Sequence, residues 1–294
     1  MIKEINLDYQ NINELENDFN NIIITKCKFS YEILYINLKS AIERRNRIQF
    51  YMDILKLKFN RFDAVNGYIY KSNNDFLIKN NLIKKESLNL IDKIKHKTFL
   101  LNYPSIGIAL SNYYIYKKII NDNQPKLILE DDIFIRSNFI HSLNDCFDFL
   151  HNNDIDMIFL GVHHYREINW ETTNNINFRK LKKNKSVYGL YSYIITPSGA
   201  KKLLKLFPLK YQIDREISNN SNSMNIFRYC PASVYSFPSQ MKFSNEKKFL
   251  NTSIQHFNNI EYFNNNNNNK SKYKNILIII IIIIFLIIIL YLIK

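Results

Sequence analysis

Glycine and cysteine are scarce in this chain of 294 residues, which holds five of the first, three of the second and one tryptophan. A dinucleotide fingerprint needs glycines gathered at a strand-to-helix turn, because only a residue without a Cβ lets the backbone close on a phosphate. The first strand-to-helix turn here has none, which disfavours an NAD-type site. Cys27, Cys146 and Cys230 are odd in number and far apart, so neither a disulfide framework nor a zinc site is indicated, and a reducing compartment fits. The longest early apolar run, Ile22 to Ile24, is too short for a signal peptide. Helix-turn-helix, zinc and RNA-binding signatures are also missing, so the net charge of +14 does not point to nucleic acid. Lysine is accompanied throughout by asparagine and isoleucine, the residues of AT-rich codons. What basicity remains to be explained suits anionic lipid head groups or a diphosphate.

What the chain does have is 46% hydrophobic content, enough for a real core, and one unusual acidic cluster. Glu130, Asp131 and Asp132 stand between two short apolar runs, residues 127–129 and 133–135. The first run, opened by Pro125 and Lys126, reads as a buried strand of a parallel sheet, with the carboxylates at its carboxyl end. In open α/β sheets ligands bind at that edge. Ionised groups beside a core are costly without a cation, and adjacent acids suit Mg²⁺ or Mn²⁺ held on a diphosphate. The bland alternative is an acidic turn that caps a following helix.

The neighbouring segments alternate between strand and helix. Residues 1–30 read as an irregular leader without assigned function. A strand over residues 31–38 precedes a polar helix from about Ser40 to Leu57, whose Arg44 and Arg45 are placed to approach a phosphate or simply form a solvated face. A second strand from Phe59 ends in an Asn66-Gly67 turn. Residues 71–97 show no periodicity and read as an insertion or mobile loop. A helix follows from about Gly107, then the acidic strand, a helix over residues 138–151 and a buried strand over residues 156–162. His163 and His164 come next; consecutive residues of an extended segment face opposite ways, so they are poorly placed to grip one metal. Residues 165–186 read as a polar excursion, a lid or acceptor loop. A strand over residues 187–196 leads into a helix opened by Thr196 and Pro197, and Asp214 follows just past an apolar residue. Residues 234–237 give a late strand.

In this order the segments resemble glycosyltransferase family 25, the lipopolysaccharide-type and procollagen-type galactosyltransferases, over about residues 31–245. The residues concerned are Tyr35 to Leu38 with Arg44 and Arg45, Phe62 to Gly67, Gly107 to Ser111, Leu127 to Asp132, Tyr193 to Ala200, and Ile213 with Asp214. The resemblance implies a GT-A fold, an α/β/α nucleotide-sugar-binding domain. It also implies inverting transfer of a hexose, galactose or glucose, from a UDP-sugar to a glycan, lipid-linked or protein hydroxyl. The acidic triplet would hold Mn²⁺ or Mg²⁺ on the diphosphate, with Asp131 and Asp132 on metal and ribose and Glu130 beside them. Asn37, Arg44, Arg45, Ala64, Asn66, Ser111 and Asn112 would line the donor, and Asp214 is a candidate base. The family usually has histidine where this chain has Asn112. That departure supports the alternative of a catalytically inactive, membrane-tethered scaffold.

Beyond a transferase domain over residues 31–250, an Asn- and Lys-rich linker over residues 251–275 leads to an apolar run, residues 276–293. As a helix its 18 residues would span ~27 Å, close to the hydrocarbon thickness of a bilayer. Lys270, Lys272 and Lys274 on its amino side favour a cytosolic enzyme held by a single-pass C-terminal anchor.

Overall fold

A computed structural model describes residues 18–91, 100–162 and 167–236. All lie in the first of two compact units, residues 1–242; the linker and the apolar run at residues 276–293 fall outside the described residues, as do His163 and His164. In chain order the elements are β1 (Glu32–Asn37), α1 (Ile42–Leu55), β2 (Phe59–Asp63), a 3₁₀ turn (Gly67–Tyr70), α2 (Asn74–Lys79), α3 (Lys85–Leu88), α4 (Tyr103–Asp122), β3 (Lys126–Glu130) and β4 (Ile133–Ile135). Then come α5 (Phe139–Asn152), β5 (Met157–Phe159), β6 (Trp170–Thr172), β7 (Phe178–Leu181), β8 (Ser192–Ile195), α6 (Pro197–Leu204), α7 (Ile213–Asn219), β9 (Ile226–Tyr229) and β10 (Val234–Ser236).

Eight strands form one sheet in the order β2-β1-β3-β8-β5-β9-β7-β6, and β4 pairs with β10 in a separate two-stranded ribbon. β1 is parallel to both β2 and β3, whereas β8 runs antiparallel to β3 and β5. The expectation of a parallel sheet is thus corrected to a mixed one, with β7 and β8 reversed. Alternation along the strands divides the core. Leu34, Ile128 and Tyr193 face a layer that includes Ile106, Leu110 and Tyr116 of α4, while Ile33, Leu127, Leu129 and Ile194 face Ile48 of α1 and Leu143 of α5.

β3 is central and apolar between its ends, with Leu127, Ile128 and Leu129 wholly buried. At its start Lys126, itself buried, reaches Glu32 and Asp122 at 2.7 Å each, and Lys118 adds a contact of 3.0 Å to Asp122. At its end stand the carboxylates.

Two expected loops turn out to be built into the fold. The stretch read as an insertion contains α2 and α3, with Leu77, Leu82, Ile83 and Leu88 buried in the α4-side core. Leu209 locks it through backbone bonds of 3.0 Å with Leu82 and Lys84. Its apolar residues are few and unevenly spaced, so helices this short leave no periodic signal. The excursion after residue 165 supplies β7 and β6, the last two strands at one side of the sheet, with β6 at the edge, and Trp170 is buried. α4 also begins a turn earlier than expected, under a reciprocal cap: Asn102 Oδ1 accepts from the Ser105 N–H at 2.8 Å and Ser105 Oγ from the Asn102 N–H at 2.9 Å.

Candidate active site

The acidic triplet sits at the carboxyl edge of β3, where β1 ends at Asn37 and β2 at Asp63. Asp131 is buried and held from two elements. Asn37 Nδ2 donates to its Oδ2 at 2.7 Å, and Arg44 Nη1 donates to its Oδ1 at 2.8 Å. Arg44 also stands 3.8 Å from Asp132 Oδ2. Arg45 Nε donates to Asn37 Oδ1 at 3.2 Å and its Nη2 to the Lys39 carbonyl at 2.8 Å, so it orients Asn37 and the β1–α1 turn. Arg47, absent from the sequence reading, donates to the Asp131 carbonyl at 3.4 Å and lies 4.6 Å over the Phe134 ring. Its spacing of three from Arg44 puts both on one helix face, and that was the available signal.

A second group braces the neighbouring loop. The Ala64 N–H donates to the Asn37 carbonyl at 3.1 Å, and the Val65 N–H donates to Ser111 Oγ at 2.8 Å. Asn66 is exposed and its side chain accepts from the Tyr68 N–H, capping the 3₁₀ turn. Two glycines permit this approach: a Cβ on Gly67 would lie 1.7 Å from the Tyr103 carbonyl oxygen, and one on Gly107 would lie 2.4 Å from that of Val65. Ser111 and Asn112 are both about 1% exposed, so neither offers a surface from its present position. Asn112 donates to the Ile108 carbonyl at 3.0 Å and accepts a short hydrogen bond from the Tyr193 hydroxyl.

Glu130, the last residue of β3, shares the face of Ile128 and so the side of Tyr193, whose hydroxyl meets Tyr116 and Asn112, while Asp131 and Asp132 follow in the turn. Burial, then the nearby charges of Asp132, Asp214 and Asp131, holds its carboxyl well above the usual range against the pull of Arg44. Burial likewise raises Asp132, with Arg44 opposing. Asp214, in the first turn of α7, accepts the Gly189 N–H at 2.9 Å, and burial raises it too. Burial works to lower Arg44, but Asp132 and Asp131 outweigh it and keep the guanidinium firmly charged. The site therefore brings four carboxylates together with the arginines of α1.

The cation already present is Arg44, a protein group where a metal alone was expected. Among the described residues no three His, Cys, Asp or Glu side chains form a metal cage. Mg²⁺-like ions commonly take one or two carboxylates and complete their shell with water and substrate phosphate, so a cage is not required. Asp132 Oδ1 is buried without a hydrogen-bond partner, and Glu130 and Asp132 are both raised by burial. Such oxygens fit a hard cation.

The profile of glycosyltransferase family 25, described as an LPS biosynthesis protein, matches residues 30–217. Two curated relatives are each called "Glycosyltransferase 25 family member". One, from Anopheles gambiae, is 30% identical over 192 residues, covering 63% of this chain and 31% of that protein. The other, from Aedes aegypti, is 30% identical over 190 residues, covering 64% of this chain and 30% of that protein. The chain thus matches less than a third of the length of these relatives. A UDP-glucose pyrophosphorylase solved with UDP-glucose aligns over 68% of this chain and 89% of its own at 11% identity, with a TM-score of 0.32. With the profile spanning β1 through most of α7, including the acidic turn and Asp214, the chain belongs to glycosyltransferase family 25.

Proposed function

We propose that this domain is a metal-dependent, inverting glycosyltransferase that moves a hexose from a UDP-sugar to a hydroxyl of a glycan, lipid-linked or protein acceptor. The observation that supports it most is the acidic turn at the end of β3, gripped by Asn37 and Arg44, with one oxygen of Asp132 buried and unbonded. Family membership supports the same reaction class. Asp131 and Asp132 would hold Mn²⁺ or Mg²⁺, which when bound neutralises charge on a departing diphosphate.

The remaining work falls to the chain's own groups. Arg44 shares the diphosphate charge, and Arg45 and Asn37 fix the turn on which it rests. Ala64 and Asn66 border the donor through a loop that Ser111 holds by the Val65 N–H. Asp214 takes the proton of the acceptor hydroxyl; its raised carboxyl and its tie to Gly189 suit a positioned base. Asn112 acts from behind, through Tyr193. The apolar run at residues 276–293 would tether the enzyme to a membrane with its domain on the cytosolic side, close to lipid-linked acceptors.

The test is UDP release by the full chain in detergent, with a panel of UDP-sugars and Mn²⁺, beside a variant carrying Asp131→Ala and Asp132→Ala. Metal-dependent release from one sugar, lost in the variant, names the donor. No release together with no metal-dependent UDP binding refutes the proposal and leaves a scaffold.

A further inference from the structure

The first two described residues, Asp18 and Phe19, precede the segment matched by the family profile, residues 30–217. They are nonetheless firmly engaged. Asp18 Oδ2 accepts from Arg136 Nε at 2.9 Å and from the Ser137 N–H at 3.1 Å; its Oδ1 accepts from Arg136 Nη2 at 3.3 Å and Ser137 Oγ at 3.0 Å. Arg136 follows β4 directly, and Ser137 lies just before α5, whose N-cap residue Asn138 makes no side-chain cap bond. From far away in sequence, Asp18 brings an anionic acceptor to a helix start that lacks one. Its carboxyl is held below the usual range: burial opposes this, but Arg136 and Ser137 prevail.

Phe19 reaches the other way. Only 4% exposed, its ring is 4.9 Å from that of Tyr51 and 6.1 Å from that of Phe50, both on α1. That support is significant for α1, which has no side-chain cap at its start and buries only Ile48, Tyr51 and Leu55 of its 14 residues. The elements so joined are the two that meet across the active site. β4 begins immediately after Asp132, and α1 presents Arg44 and Arg47 to Asp131.

We infer that Asp18 and Phe19 form a clasp that holds the arginine face of α1 against the acidic turn, which makes them positioning residues for donor binding, the donor part resting on the function proposed above. A leader that merely adds stability would leave the site's geometry untouched. Full-chain Asp18→Ala and Phe19→Ala are compared with Tyr229→Phe, which removes the 2.8 Å hydroxyl bond from β9 to Asp145, in the middle of α5, and leaves both clasp contacts in place. Hydrogen exchange is read over residues 42–55 and 131–136, and UDP affinity is titrated with Mn²⁺ present. The clasp predicts faster exchange in both segments for each variant and weaker UDP affinity, by about tenfold in Asp18→Ala, the scale of one lost charge-assisted bond, while Tyr229→Phe changes neither. Unchanged exchange over residues 42–55 overturns the inference. Should Phe19→Ala fail to fold, Phe19→Leu takes its place. A wild-type chain that neither releases UDP from a UDP-sugar nor binds UDP with Mn²⁺ refutes the proposed function instead, and the exchange result still decides the clasp.

Discussion

Replacing Asn37 by aspartate sets a second carboxylate against Asp131 with almost no change of shape. Asn37 Nδ2 stands 2.7 Å from Asp131 Oδ2, and an aspartate in the same rotamer puts an oxygen there. Carboxylate centres about 4 Å apart repel by about 4 kcal/mol at an effective dielectric of about 20. Arg45, 3.2 Å from Asn37 Oδ1, keeps its bond and offsets part of this. The repulsion that remains, about 3 kcal/mol, holds the introduced carboxyl in the folded chain well above its unfolded value of about 3.9. An acid raised in the folded state destabilises fully above its folded pKa, and the penalty fades as pH falls toward the unfolded value. Below that point a protonated carboxyl can donate to Asp131 as the amide did, while the amide's second bond, 3.0 Å to the Ala41 carbonyl, stays lost at every pH. Urea unfolding of wild type and Asn37→Asp at pH 7, 6, 5 and 4 should therefore show a stability difference of about 3 kcal/mol that shrinks steadily with acid. A difference of one size at every pH, or none at pH 7, would refute the contact between Asn37 and Asp131.

Other substitutions probe other parts of the argument. Gly107→Ala removes a helix-interior glycine, which on propensity alone should stabilise by about 1 kcal/mol; because the new Cβ lies 2.4 Å from the Val65 carbonyl oxygen, we expect instead a loss of about 2 kcal/mol or more in urea unfolding. Leu77→Ala, in the stretch that looked like a mobile loop, should cost about 2–5 kcal/mol because Leu77 is wholly buried, and a cost near zero would return that stretch to the surface. Tyr193→Phe strands Asn112 Oδ1 and should cost about 1–3 kcal/mol, whereas adding Asn112→Leu should recover part of that loss in a double-mutant cycle. Mn²⁺ should raise the melting temperature of the wild type and leave Asp132→Asn unmoved, with the effect growing as pH rises, because burial raises the Glu130 and Asp132 carboxyls and a metal takes them ionised.

Strongly patterned features were legible in the sequence. The acidic triplet at a strand end, the strand read over residues 31–38 and found as Glu32–Asn37, and the Thr196-Pro197 start of α6 all appear where residue type and spacing put them, and the Thr196 hydroxyl accepts from the Gly199 N–H at 3.1 Å. Cap chemistry for α4 was also present in Asn102 and Ser105, a turn ahead of the Gly107 start that the apolar spacing gave. Long-range partnerships were not legible. Nothing local to Trp170 says that it will be buried on an edge strand, and nothing in residues 71–91 says that Leu82 and Leu209 will meet. The same limit applies to charge: three acids announce a need for a cation, while the helix that supplies Arg44 lies 87 residues upstream of Asp131.

The ion-paired start of β3 has a consequence for how the sheet assembles. Sliding β3 by one residue against β1 or β8 would exchange the faces of Leu127, Ile128 and Leu129, a change an apolar segment alone resists only weakly because its residues are similar in size. Lys126 makes the slip costly, since either direction draws its buried ammonium away from the carboxylates of Glu32 and Asp122. The strand is a bolt stopped at its start, so the height at which Glu130, Asp131 and Asp132 emerge is set in part by a lysine at the far end of the strand.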